Sequence, residues 1–204
     1  MRFTTTLVLA AALAGVTFAG ASGQERIDGA AIAKKGLPNV RACESCHTGV
    51  DAPLLNGQLE FYIAQQLSDF RNGFRVSEAC APAAKGLNEK QSAAVAKYYN
   101  EQPRKKAPVP DEDAALIEKG KEMVLNGDVP RDIFPCSRCH GGDGRGGDFA
   151  ALAGQNPAYT LKQVQDLRTG KRENDELGIM QAIAQKLTDD DVKAAAAYFH
   201  QAVK

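Results

Sequence analysis

At 204 residues the chain has room for one large domain or two small ones. Its 25 Lys and Arg are matched by 25 Asp and Glu, so there is no basic surplus with which to hold a nucleic acid.

The opening residues, MRFTTTLVLAAALAGVTFAGASGQ, combine an early Arg2, an apolar run from Leu7 to Phe18 and the small triplet Ala19-Gly20-Ala21. This is the pattern of a secretory signal peptide over 1–21, cleaved after Ala21. The run is short for a bilayer span, and no later segment approaches the length of a membrane helix. The expected mature protein of roughly 180 residues is therefore exported to the periplasm and carries no transmembrane span.

Beyond the leader the chain reads as helix throughout, with no alternating run that would mark a strand. Gly36 lies in the first predicted helix, where a glycine lets another helix cross closely or simply ends its own. CESCH follows, from Cys43 to His47, and then GQLEFYIAQQLSDFRNGFR, a helical pattern from Gly57 to Arg75. A further helix begins near Leu87, with Asn88 as the N-cap and Gln91 placed to answer it. Pro103, Pro108 and Pro110 stop any helix in the stretch 102–113, whose Arg104, Lys105 and Lys106 read as a solvated linker.

The pattern then starts again. Gly120 falls in the next predicted helix, as Gly36 does in the first, and CSRCH (Cys136 to His140) stands 93 residues after CESCH. GQNPAYTLKQVQDLRTGKR, Gly154 to Arg172, matches Gly57 to Arg75 without a gap, repeating Gly, Gln, Tyr, Gln, Asp, Arg, Gly and Arg at identical offsets. LTDDDVKAAAAYFH from Leu187 matches the helix from Leu87, with Thr188 the cap, Asp191 its answer, and Leu187 and Val192 a staple around it. Three matched blocks in one order mean a duplicated domain. The expected organisation is domain 1 over 22–101, a linker over 102–113 and domain 2 over 114–204.

Cys-x-x-Cys-His has a direct chemical meaning. Two thiols add to the vinyl groups of haem and the adjacent histidine binds iron from one face. Cys43, Cys46, Cys136 and Cys139 are thus predicted to hold two haem c groups, with His47 and His140 on the irons. Covalent haem would also give each small domain a rigid apolar core. A single zinc site built from the two pairs would leave both adjacent histidines unexplained. A thioredoxin-type redox pair would need a βαβ setting that a helical chain lacks.

With these motifs in place, the chain from about residue 27 to its end resembles the tandem class I cytochromes c of the cytochrome c4 group, and also the cytochrome subunit of flavocytochrome c sulfide dehydrogenase. The resemblance implies an all-α fold of two haem-wrapping domains. It further implies a proline shortly after each haem site, whose carbonyl receives the hydrogen bond from the ligand histidine. Pro53 matches that position in the first repeat and Ala150 in the second, where looser geometry is expected. In such proteins a methionine before the last helix is the second axial ligand. Met180, seven residues before Leu187, stands there, and the same count back from Leu87 lands on Cys80.

Domain 1 has no methionine between its haem site and the linker, so the expected ligand pairs are His47 with Cys80 and His140 with Met180. A buried inert thiol, an intermolecular disulfide and an iron with Cys80 merely nearby remain as other readings of that cysteine. His200, close to the C-terminus, reads as a surface residue. Thiolate favours Fe(III) and thioether Fe(II), so a low-potential haem 1 would feed a high-potential haem 2. The expected function is electron transfer between periplasmic donor and acceptor proteins, a terminal oxidase or a sulfur-oxidising dehydrogenase among them. The alternatives are an enzyme of thiosulfate or sulfide oxidation reacting at the cysteine-ligated haem, with Cys80 taking part, or an electron-accepting subunit of a sulfide dehydrogenase.

Overall fold

The structure, a computed structural model, describes residues 27–175 and 177–203. The predicted signal peptide lies outside them. Among the described residues the chain is all helix and loop, with only two isolated bridge pairs, Leu37 with Val40 and Asp128 with Ile133. Helices α1 (Gly29–Lys35), α2 (Glu60–Asn72), α3 (Cys80–Gly86) and α4 (Glu89–Glu101) precede a helix-free stretch over 102–113. After it come α5 (Ala114–Asn126), the short α6 (Ser137–His140), α7 (Pro157–Arg168), α8 (Ile179–Lys186) and α9 (Asp189–Gln201).

The two halves are built alike. α4 packs on α1 and α2, as α9 packs on α5 and α7. Ile32, Val40, Ile63, Leu87, Val95, Ala96 and Tyr99 form one buried cluster. Val164, Leu167, Ala184 and Val192, with Leu187 packed against them, form another. The last helix of each half opens on a full capping box, Asn88 with Gln91 and Thr188 with Asp191, as the sequence predicts.

The glycine register differs from the sequence reading. Gly36 and Gly127 end α1 and α5 at positive φ (75° and 70°), while Gly29 opens α1 and Gly120 lies within α5, at the crossings with α4 and α9. Gly120 thus pairs with Gly29 and not with Gly36. His200 is also misplaced by the sequence reading: it is fully buried, with Nε2 3.0 Å from the Ala107 carbonyl. Arg104 is no solvated linker residue either, for its guanidinium donates to the carbonyls of Gly57 and Ala153 at 2.7 and 2.8 Å and so joins the two halves.

Asp191 also accepts a two-pronged contact from Arg131, at 2.7 and 3.2 Å. Burial alone would raise its carboxyl, but Arg131 and Thr188 outweigh burial and hold it at about 2, below the ordinary value of 3.8. A depressed carboxyl stabilises the fold above the ordinary value and loses that contribution as pH falls from 3.8 towards about 2. The stability gap between the native protein and Asp191→Asn, followed by helical circular dichroism, is therefore expected to narrow across that window. A gap independent of pH would contradict the role given to Arg131.

Candidate haem sites and the interface between them

Each Cys-x-x-Cys-His string forms a single helical turn. Cys43–Ser45 is a 3-10 turn, and Cys136 leads into α6; in both, the histidine N–H donates to the carbonyl of the first cysteine at 3.0 Å. That turn places residues three and four apart on one side, which is where two thioether bonds and an iron ligand must meet. All five cysteines are free thiols. Burial pushes the Cys136 thiol up to about 11 and also raises Cys43, where the nearby Cys80 sulfur adds to the effect. Cys46 is exposed and is lowered by Ser45 and Arg41.

The two histidines are held identically. His47 Nδ1 lies 2.9 Å from the Pro53 carbonyl and His140 Nδ1 2.8 Å from the Ala150 carbonyl. The contact without proline is no looser, contrary to the expectation from its sequence. Phe149 meets the His140 ring edge-on at 6.3 Å, and the residue after Ala150 is itself tied down by Gln58, as described below. Burial lowers both rings below the usual imidazole range, with the carbonyl contact working the other way, so both are neutral at pH 7. Nδ1–H donates to the carbonyl, and among the described residues no protein group takes up Nε2, which leaves its lone pair for iron.

Cys80 opens α3, half-buried, its N–H donating to Ser77 Oγ at 3.1 Å; Met180 is in the first turn of α8, against the cluster of Val164, Leu167, Ala184 and Val192. Both helices end at the leucine seven residues on, Leu87 or Leu187, in extended conformation. Among the described residues no group of three or more His, Cys, Asp or Glu side chains converges.

Between the halves lies a polar layer that sequence reasoning did not assign. Arg75 donates to Gln66 and Gln163, and to Tyr159 Oη at 3.2 Å; Arg172 donates to Gln163 at 3.0 Å and to Tyr62 Oη at 3.1 Å. Tyr62 matches Tyr159 and Arg75 matches Arg172, so the contact is two-fold. Neither guanidinium has a carboxylate within ion-pair distance among the described residues, whereas haem brings carboxylates of its own. Free thiols, neutral histidines and, among the described residues, two guanidinium groups without a carboxylate partner together fit a covalently bound haem in each half.

Gln58 and Gln155, which also match, reach across in the same crossed fashion. Gln155 binds both the N–H and the carbonyl of Leu54, at 3.0 and 3.1 Å, and Gln58 binds both the N–H and the carbonyl of Ala151, at 2.9 and 3.0 Å. The signal for all these residues was the gapless repeat of Gln, Tyr and Arg, which marks positions but names no partners.

Residues 117–202 match the cytochrome c family model. The chain is 34% identical over 168 residues to the thiosulfate dehydrogenase electron acceptor of Thiomonas intermedia, covering 78% of this chain and 77% of that protein. The crystal structure of reduced cytochrome c4 from Pseudomonas stutzeri superposes with a TM-score of 0.71 at 31% identity, covering 79% of this chain and 93% of that one. The thiosulfate dehydrogenase TsdBA from Marichromatium purpuratum superposes at 0.73 and 35% identity, over 84% of this chain and 39% of the larger protein.

Proposed function

Because the chain belongs to the cytochrome c4 family, we propose that it carries electrons in the periplasm on two haem c groups, taking them from a dehydrogenase of reduced sulfur compounds. A terminal oxidase or a similar redox protein would then receive them. The observation that carries this reading is the pair of attachment turns, each with a neutral histidine tied at Nδ1 and unclaimed at Nε2. Haem, once bound there, supplies a centre that gains and loses one electron.

The residues divide the remaining work. Cys43, Cys46, Cys136 and Cys139 bind the two groups, His47 and His140 are oriented by Pro53 and Ala150, and Arg75 and Arg172 meet the haem carboxylates. Cys80 and Met180 would supply a second, sulfur ligand to each iron, and the difference between thiolate and thioether would set the two potentials apart, low in domain 1 and high in domain 2. The likeness to an electron acceptor of thiosulfate dehydrogenase supports the choice of donor. Joining two thiosulfate ions through one sulfur–sulfur bond releases two electrons, and a carrier with two haems takes both.

The test is to mix the oxidised protein with thiosulfate, with and without a thiosulfate dehydrogenase, in a stopped-flow spectrometer. Reduction by two electrons per chain is expected only when the enzyme is present. Absence of reduction in its presence would remove the sulfur-compound donor. Reduction by thiosulfate alone, with continued turnover on an artificial acceptor, would make the chain itself the enzyme, reacting at Cys80.

A further inference from the structure

The crossed glutamines do more than glue the halves together. The N–H that Gln155 binds belongs to Leu54, and the carbonyl on that same planar peptide group is the Pro53 carbonyl that holds His47. On the other side, Gln58 binds the Ala151 N–H, whose peptide group carries the Ala150 carbonyl that holds His140. Two hydrogen-bonded chains therefore cross the interface: His47, peptide 53–54, Gln155; and His140, peptide 150–151, Gln58. Every link is between 2.8 and 3.0 Å, and both glutamines are only 5% exposed.

We propose that Gln58 and Gln155 are crossed positioning residues, each fixing the orientation and donor strength of the iron-binding histidine in the other half. This rests on the reading that both histidines bind haem iron. Two physical effects act together. Each carboxamide accepts from the N–H on the peptide plane that receives the histidine proton, so that plane cannot turn without breaking this bond, and each also donates to the carbonyl of the same residue, which fixes the next peptide. A peptide that donates from its N–H is also polarised towards its oxygen, which strengthens the bond that the oxygen accepts. A stronger bond at Nδ1–H makes the ring a better electron donor through Nε2 and favours the oxidised iron.

The consequence is a specific crossed pattern. Gln155→Met keeps the volume but removes both hydrogen bonds across the interface, and is expected to raise the reduction midpoint of the haem attached at Cys43 and Cys46. The haem at Cys136 and Cys139 should stay where it is. Gln58→Met should do the reverse. Each variant is expected to shift the equilibrium of electron exchange between the two haems by roughly twofold to fivefold, a part of one hydrogen bond's worth. Gln155→Glu retains an acceptor oxygen for the Leu54 N–H and is expected to bring haem 1 back towards the native value.

The measurement follows haem-methyl NMR signals, assigned to each attachment site, through a redox titration of the full holoprotein. If each variant moves the haem of its own half more than the other, or moves both alike, the glutamines are structural and the proposal is overturned. It is equally overturned if neither haem moves while the Leu54 or Ala151 amide signal shows its partner lost, or if Gln155→Glu and Gln155→Met shift haem 1 equally. A mass measurement showing fewer than two haems on the native chain overturns the parent reading, and the proposal with it.

Discussion

Replacing Cys80 by Met is expected to raise the potential of haem 1 by a few tenths of a volt, a sizeable share of the roughly 0.8 V that axial ligands span. Under the ligation proposed above, a Cys80 thiolate would place a full negative charge on the iron and favour Fe(III), whereas thioether sulfur is neutral. The case for Cys80 is one of register. α3 and α8 end at Leu87 and Leu187, and Ala84 and Ala184, three residues earlier, are both fully buried. Their carbonyls each accept from Nε of a matched arginine, Arg71 at 3.2 Å and Arg168 at 3.0 Å. Both helices are anchored at matched points, and Cys80 and Met180 lie at the same count, seven residues, before the closing leucine, which supports the proposal that each offers sulfur to its iron. Low-temperature EPR of the oxidised protein is expected to show two low-spin species, one with the narrow g-spread of thiolate ligation, and only that one should vanish in the variant. A spectrum that Cys80→Met leaves unchanged would take this cysteine off the iron.

Gly120→Ala is expected to destabilise the protein by about 3 kcal/mol, at the upper end for overpacking. A Cβ at Gly120 would stand 1.9 Å from the Ala194 carbonyl oxygen and 3.1 Å from Tyr198 Cβ. The obstacle is mostly helix backbone, so α5 and α9 would have to move apart as rigid bodies. Gly29, with 2.0 Å to the Ala94 oxygen, makes the same demand on α1 and α4. Gly147→Ala is the control, since nothing lies within 4 Å of the added carbon there; a change within about 0.5 kcal/mol is expected, as for an open surface site. Guanidinium unfolding of the holoprotein, read by helical circular dichroism, measures both. Equal midpoints for the two variants would refute the close crossing.

Much of the architecture was legible because local chemistry and repetition both point to it. The attachment turns, the capping boxes and the matched positions of Cys80 and Met180 needed only short spacings. The glycine register was lost because the segment between first helix and haem site is two residues longer in the second half, where a 3-10 turn over Val129–Arg131 takes up the difference. His200 and Arg104 were misjudged for a different reason. Their partners, Ala107 for the first and Gly57 and Ala153 for the second, are backbone carbonyls distant in sequence, and a carbonyl leaves no mark in the letters of a chain. The same holds for Gln58 and Gln155, whose recurrence marks the position and conceals the crossing.

The interface is of the kind that two copies of one chain form about a two-fold axis, with each patch meeting its own image. In such a pair of identical chains every substitution appears twice, and both irons would carry the same sulfur. Joining the copies through 102–113 removes that constraint while keeping their effective concentration high. One chain can then hold Cys80 in one half and Met180 in the other, so that, under the ligation proposed above, symmetric contacts would frame an asymmetric pair of irons and give the molecule a direction.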